Sequence, residues 1–323
     1  MTAIRHALAL ALALAAGSAS AAAQGFPNKP ITIVVPAGAG GPTDTVARLV
    51  GESMSRTLGQ QIIVENVGGA GGTIGVGRVA KSAPDGYTLV VWHIGQATAP
   101  ALYDNLKYNP LDDFDGIGRI TDVPMTIVGK AGLEAKSIGD LLAWVKAKQK
   151  DVTYAHAGIG SASHLLMSAV NVEMTAVSYR GTGPAMNDLV GGQFDMMCDQ
   201  TTGTTNQIKE GKIKGYAATT AKRLKVLPEL PTLDESGLKG FEVSAWHAMW
   251  APKGIPAEAS AKLVAALQTA LKDEKVIERF ASLGTEPVAQ SEATPEGLKA
   301  QLTAELAKWA PIIKASGARG GAN

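Results

Sequence analysis

Pro36-Ala37-Gly38-Ala39-Gly40-Gly41-Pro42-Thr43-Asp44 lies between the β-branched run 31–35 and a helical pattern that begins at Thr43. The stretch reads as strand, glycine loop, helix. A buried strand that empties into a loop without bulky side chains, followed at once by a helix start, leaves several backbone N–H groups unpaired at one spot. Such a spot attracts an anion. Pro42 suits the first helical position, where its missing N–H costs nothing, and Thr43 and Asp44 fill the first turn. No lysine followed by Ser or Thr is present, as a P-loop requires, and Gly38-x-Gly40-x-x-Thr43 lacks the third glycine of the dinucleotide fingerprint. A nucleotide is therefore not the first reading. Standing alone, the loop could equally be a tight turn with no ligand.

The loop does not stand alone. Strand 62–65 runs into Gly68-Gly69-Ala70-Gly71-Gly72, a second glycine loop ahead of a helix over 73–81, and strand 87–92 opens into His93-Ile94-Gly95-Gln96-Ala97-Thr98. Gly75 and Gly77 fall inside the helical pattern, where they read as close packing on a sheet rather than as a dinucleotide motif. Strand, helix, strand, helix, strand with right-handed crossovers places these loops along one edge of a parallel sheet, where ligands bind. His93 is a candidate for that edge, with a structural role as the alternative.

Residues 110–118 read as acidic and irregular, and 124–128 as an extended crossing segment. The pattern then restarts. Ser137 and Asp140 form a capping box for a helix bearing Leu141, Leu142 and Val145. Strand 152–155 leads into Gly158-Ile159-Gly160-Ser161-Ala162-Ser163-His164 and a helix over 165–170, which repeats the opening theme. Strands are expected at 174–179, 194–198 and 214–219, with Arg180-Gly181-Thr182-Gly183-Pro184 at one helix start and Asp199-Gln200-Thr201-Thr202 at the mouth of another strand. The run 243–250 reads as a second crossing strand. Helices at 257–272, 275–283 and 294–315 should pack on the first domain, with residues 317–323 frayed. Two domains that each point a glycine loop at a common cleft make a clamshell binder.

Residues 1–23 read as a secretory signal peptide: Arg5 and His6, an Ala/Leu run over 7–16, then small residues. Its removal leaves 300 residues with 29 basic and 29 acidic side chains. A neutral chain without a basic run argues against nucleic acid or an anionic membrane surface as partner. The lone Cys198 cannot form an intramolecular disulfide, and no Cys/His cluster has zinc spacing.

The segments 30–36, Gly40-Gly41-Pro42-Thr43-Asp44, Val64-Glu65-Asn66 with the glycines 68–72, Pro84-Asp85-Gly86-Tyr87-Thr88-Leu89, Gly158-x-Gly160-Ser161-x-Ser163-His164-Leu165 and Leu189-Val190-Gly191-Gly192-Gln193-Phe194-Asp195 together resemble the Bug family. These are periplasmic substrate-binding proteins of tripartite tricarboxylate transporters. The resemblance covers nearly the whole mature chain. It implies an α/β fold: a two-domain periplasmic-binding-protein-like clamshell, each domain a mostly parallel sheet flanked by helices, joined by two crossing strands. Domain 1 would comprise 24–124 plus 246–323, and domain 2 residues 125–245.

The implied function is capture of a small carboxylate, such as a dicarboxylate or aromatic acid, and its delivery to the transporter's membrane subunits. The implied protein is a periplasmic monomer without cofactor, metal or enzymatic activity. In that family the carboxylate is held by loop amides, hydroxyls and waters rather than by a dedicated arginine. Carried over, the contacts are Ala39, Gly40, Gly41, Thr43 and Asp44 in domain 1, and Gly160, Ser161, Ser163, His164, Asp199 and Thr201 in domain 2. Asp44 is expected to order the helix start and a water rather than touch the anion. Family members usually carry lysine where this chain has Arg180, so a cation at the cleft is retained. Thr43 and Ser161 are expected to grip the carboxylate, and alanine at either to weaken binding by about 1 kcal/mol without lowering the melting temperature. The rival reading is a secreted hydrolase using Ser161 or Ser163, His164 and Asp199, against which stands the absence of a Gly-x-Ser-x-Gly elbow.

Overall fold

The computed structural model describes residues 25–158, 161, 163–164, 172–240 and 242–320. The expected signal peptide, Gly160 and the expected helix over 165–170 lie outside them. Alternation along the strands explains the layers. In β1 (Ile31–Val35), Ile31, Ile33 and Val35 pack on one face and Val34 on the other, and all four are fully buried. β3 (Thr88–His93) divides in the same way, Leu89 and Val91 against Val90 and Trp92. A sheet apolar on both faces must be covered on both. The helices α1 (Pro42–Leu58) and α7 (Ala257–Ala270) cover one face through Val46, Val50, Met54, Leu263 and Leu267. The other takes α2 (Thr73–Ala80), α3 (Gly95–Leu102) and α9 (Pro295–Ser316), through Val76, Leu102, Leu298 and Trp309.

The sheet order is β2-β1-β3-β9-β4-β7-β5-β6, with β8 also on β4. β2 (Ile62–Asn66) and β3 flank β1 in parallel, and β6 (Thr175–Ser178) and β7 (Met196–Gln200) flank β5 (Thr153–His156) in parallel. Two antiparallel strands join these halves, so the sheet as a whole is mixed. β4 (Phe114–Lys130) pairs with β9 (Ser244–Pro252) over Phe114–Pro124, then enters the second half and pairs with β7 and β8 (Ile213–Ala218) from Met125 or Thr126 onward. The second half carries α4 (Ile138–Lys148), α5 (Thr182–Val190) and α6 (Thr201–Lys209). The α/β clamshell with two crossing strands is thus the architecture observed.

The Ser137–Asp140 capping box forms, and Gly75 is required where a Cβ would come within 2.5 Å of the Val67 carbonyl. Four expectations need correction. Residues 110–118 are not irregular throughout, since β4 already begins at Phe114. Two helices, α3 and α6, replace segments read as open strand mouths. The end of the chain is tied down through residue 320: Gly320 N–H donates to Leu102 O at 2.7 Å and Arg319 pairs with Asp104 at 2.8 Å. α8 (Glu274–Ser282) begins and ends one residue earlier than the expected 275–283, with the Asp273 carboxylate as its N-cap.

Candidate functional site

The two halves meet along their glycine loops. Gly38 N–H donates to Arg180 O at 3.1 Å across the boundary. Gly183 lies so close to the opening loop that a Cβ there would sit 2.6 Å from Ala39 O and 2.9 Å from Gly41 N. A Cβ at Gly181 would sit 2.5 Å from Gly38 N. Only bare backbone fits between these strands of loop. They enclose a pocket of about 30 Å³, lined by Gly41, Pro42, Thr43, Trp92, His93, Ser161, Ser163, Arg180, Gly181, Thr182, Asp199 and Gln200 among others. Depressions of about 500 and 340 Å³ lie elsewhere, edged by exposed lysines, and share no lining residue with this pocket.

Three helix starts converge here. Gly41, Gly181 and Gln200 are the N-caps of α1, α5 and α6, and none of them caps its helix with a side chain. The first-turn amides, among them those of Thr43 and Thr182, therefore have no side-chain cap, and the positive ends of three helix dipoles face one cavity. Arg180, an exposed cation, is among the lining residues. Such a constellation stabilises a bound anion.

The opening loop is braced from behind. Asp44 accepts from Gly40 N–H at 2.9 Å, Arg48 Nε at 3.0 Å and Asn66 Nδ2 at 3.0 Å. Burial pushes its carboxyl up, but the Arg48, Gly40 and Asn66 hydrogen bonds together outweigh burial and hold it below the usual carboxylate range. Asp44 thus orders the helix start, as expected. Gly40 does not serve as a ligand donor, because its amide is spent on Asp44, and Ala39 and Gly40 are exposed at the rim.

Thr43 has a partner that the sequence did not announce. Its Oγ1 lies 3.0 Å from Nε2 of His247, whose Nδ1 is 3.0 Å from Ala245 O. A carbonyl only accepts, so Nδ1 carries the proton and Nε2 accepts from the threonine hydroxyl. Burial, opposed only weakly by the Ala245 carbonyl, lowers His247 to about 4 and keeps it neutral. The Thr43 proton is therefore committed to His247, and Thr43 offers the cavity its backbone N–H and hydroxyl lone pairs. The expected grip of its hydroxyl on a carboxylate is corrected accordingly. His247 stands as a lone polar residue in the apolar run 245–251, and that isolation is the signal that could have marked it.

In the second half, Ser161 Oγ and Ser163 Oγ are 2.9 Å apart. Each also accepts a backbone N–H, Ser161 from His164 and Ser163 from Ala157, both at 3.3 Å. The pair's own bond uses one hydroxyl proton, and the other has no acceptor among the described residues. His164 stacks edge-on to His156 at 5.0 Å, and burial lowers both imidazoles, His156 to about 4. His93 lines the pocket, stacked on Trp92 at 3.8 Å, with Nδ1 accepting from Gly95 N–H at 3.0 Å. Burial first, and His247 second, keep it well below the ordinary histidine value. Thr201 is corrected out of the pocket: its hydroxyl donates to Gly284 O at 3.3 Å. Trp92, Thr182 and Gln200 among the lining residues, and His247 behind Thr43, are residues of the site that sequence reasoning missed.

Residues 46–318 match the model of the tripartite tricarboxylate transporter family receptors. A protein of Agrobacterium vitis, encoded in the TAR-I ttuE-ttuC' intergenic region, is 56% identical over 300 residues, covering 92% of this chain and 87% of the relative. The periplasmic binding protein BugD superposes with a TM-score of 0.89 at 50% identity, over 91% of this chain and 99% of its own. MatC of Rhodopseudomonas palustris, solved with bound malate, does so with a TM-score of 0.86 at 39% identity, over 89% and 100%. The chain belongs to the tripartite tricarboxylate transporter receptor family and is a solute-binding protein rather than an enzyme.

Proposed function

We propose that this protein captures a small carboxylate between its two halves and presents it to the membrane subunits of a tripartite transporter. One observation carries the reading: three helix N-termini without side-chain caps, together with Arg180, face one cavity at the boundary between the halves. Hydrogen bonds to a charged group contribute about 1.5 to 3 kcal/mol each, so four or five fixed donors offset carboxylate desolvation and reach about micromolar affinity. Malate bound to the related MatC supports the chemical class. The ligand contacts are assigned to the amides of Gly41 and Thr43, the Ser161–Ser163 pair, Thr182 and Asp199.

The enclosed space of about 30 Å³ holds a water or two. A ligand of several carbons enters only when the halves part, and closure follows because only the closed form lets it touch both. The change of β4 partner between Pro124 and Met125 supports domains of 24–124 plus 246–323 and of 125–245. The chain is taken to act as a monomer, exported by removal of residues 1–23. Thermal unfolding against mono-, di- and tricarboxylates, aromatic acids, amino acids and nicotinamides tests the reading. A ligand at a hundredfold its Kd adds about 2.7 kcal/mol and raises Tm. Stabilisation by a nucleotide or turnover of an ester, with none by any carboxylate, would overturn it.

A further inference from the structure

Asp199 ends β7 inside the pocket and is 2% exposed. Its carboxyl accepts from Gln200 N–H and from the Thr182 hydroxyl. Oδ2 has no hydrogen-bond partner among the described residues. A buried carboxylate oxygen left bare is costly, and a second carboxylate beside it is more costly still, since two like charges in one desolvated site cannot both remain ionised.

Resting on the carboxylate reading above, we propose that Asp199 meets the ligand as the neutral acid. Its Oδ2–H donates to a ligand carboxylate oxygen, and capture takes up one proton from solvent. The neutral acid turns Asp199 from a repulsive neighbour of the ligand carboxylate into a donor to it, and leaves the helix N-termini to the charge of the ligand.

The surroundings agree. Burial pushes the Asp199 carboxyl up to about 7, against the pull of the Gln200 amide and the Thr182 hydroxyl. The titratable neighbours do not compete for the proton above neutrality. His93 on β3, His247 on β9, and His156 and His164 around the β5 loop are all held low by burial. Cys198, on the same strand, is pushed well up by burial and by Asp199 itself. Asp44 on α1 is tied to Arg48 and Asn66, and Arg180 is an exposed cation among the lining residues. From α6 the packed neighbour is Gly203, where a Cβ would sit 2.9 Å from Oδ2, and β4 contributes Met125 and Thr126.

The test is calorimetric titration of the mature protein with malate between pH 6 and 9, in pairs of buffers that differ in ionisation enthalpy. The second carboxyl of a short dicarboxylate ionises at about 5, raised by the charge of the first, so the probe is about nine-tenths dianion at pH 6 and fully so above pH 7. The expected result is a Kd that is level near pH 6, rises about tenfold per pH unit above about 8, and is accompanied by uptake approaching one proton. Asp199→Asn, which keeps a donor, should weaken binding about threefold and show no pH dependence, whereas Asp199→Ala should weaken it tenfold or more at pH 6. A level Kd in the wild type without proton uptake, binding that tightens as pH rises, or an asparagine variant as weak as the alanine one would each overturn the inference while leaving the carboxylate reading intact. No binding of malate or any other panel carboxylate at any pH, in wild type or variants, would overturn both.

Discussion

Asp44, behind the opening loop of the first half, and Asp199, at the end of β7 in the second, are both buried, and the two are treated in opposite ways. Asp44 satisfies its oxygens on Gly40, Arg48 and Asn66 and is held low. Asp199 has one oxygen without a partner among the described residues and is pushed up by burial. The first is a brace that presents backbone donors, and the second is a contact whose partner arrives with the ligand. A binding cleft of this kind separates rigidity from recognition: one loop is finished before the solute comes, and the other is completed by it.

The severest test of that division is Gly183→Val. Its side chain would meet the Ala39 carbonyl and the Gly41 amide, both backbone, so the loops could not close. Calorimetry should show at least about a hundredfold loss of carboxylate affinity, with α5 still formed by circular dichroism. An unchanged Kd would break the picture of loops that meet only through bare backbone.

The two aspartates should next part company in stability. Asp44→Ala leaves the Gly40 amide and Asn66 without their acceptor and should cost the free protein about 3 kcal/mol in urea unfolding at pH 7. Because the Asp44 carboxyl is held low, its stabilisation is present above about pH 4 and is lost as pH falls below that. Asp199 has the reverse sign. Between pH 4 and 7 its folded form binds more protons than the unfolded chain, so stability falls as pH rises through that window. Wild type should therefore lose about 3 kcal/mol between pH 5 and 8 relative to Asp199→Asn, as followed by Tm. Parallel pH curves for the two proteins would erase the contrast.

The smallest effect sharpens the roles within the first loop. Thr43→Val keeps the backbone N–H but leaves Nε2 of buried His247 without its donor, which should cost about 1 kcal/mol of stability in the free protein. This replaces the expectation of an unchanged melting temperature, because the hydroxyl is tied to the crossing strand. Ser161→Ala removes the acceptor for His164 N–H and breaks the Ser161–Ser163 hydroxyl pair. It should lower affinity by about 1 kcal/mol by calorimetry.

Much of this was legible in the chain itself. Period-two alternation in 31–35 and 88–93, Pro42 at a helix start, Gly59 at its left-handed end and the Ser137–Asp140 box are local features, set by neighbours within a few residues. The recurrence of strand, glycine loop and helix announced two halves and one cleft, and the resemblance to the Bug family pointed to Gly41, Thr43, Ser161, Ser163 and Asp199, which line the pocket.

Tertiary structure alone decided the rest. α6 reads TTGTTNQIK, four threonines and a glycine with poor helical propensity. It is a helix because Thr204 bonds Thr126 on β4 at 2.7 Å and Thr205 bonds Leu283 O at 3.1 Å. α3 carries an internal proline at Pro100 and is likewise held by packing. The pairing of Thr43 with His247 spans 204 positions of sequence, and the state of Asp199 depends on burial between elements far apart in the chain. Local sequence determines which backbone segments can form, since propensity and capping act over a few residues. Which polar atoms find partners, and which are left for a ligand, depends on contacts that exist only once the sheet has brought distant strands together.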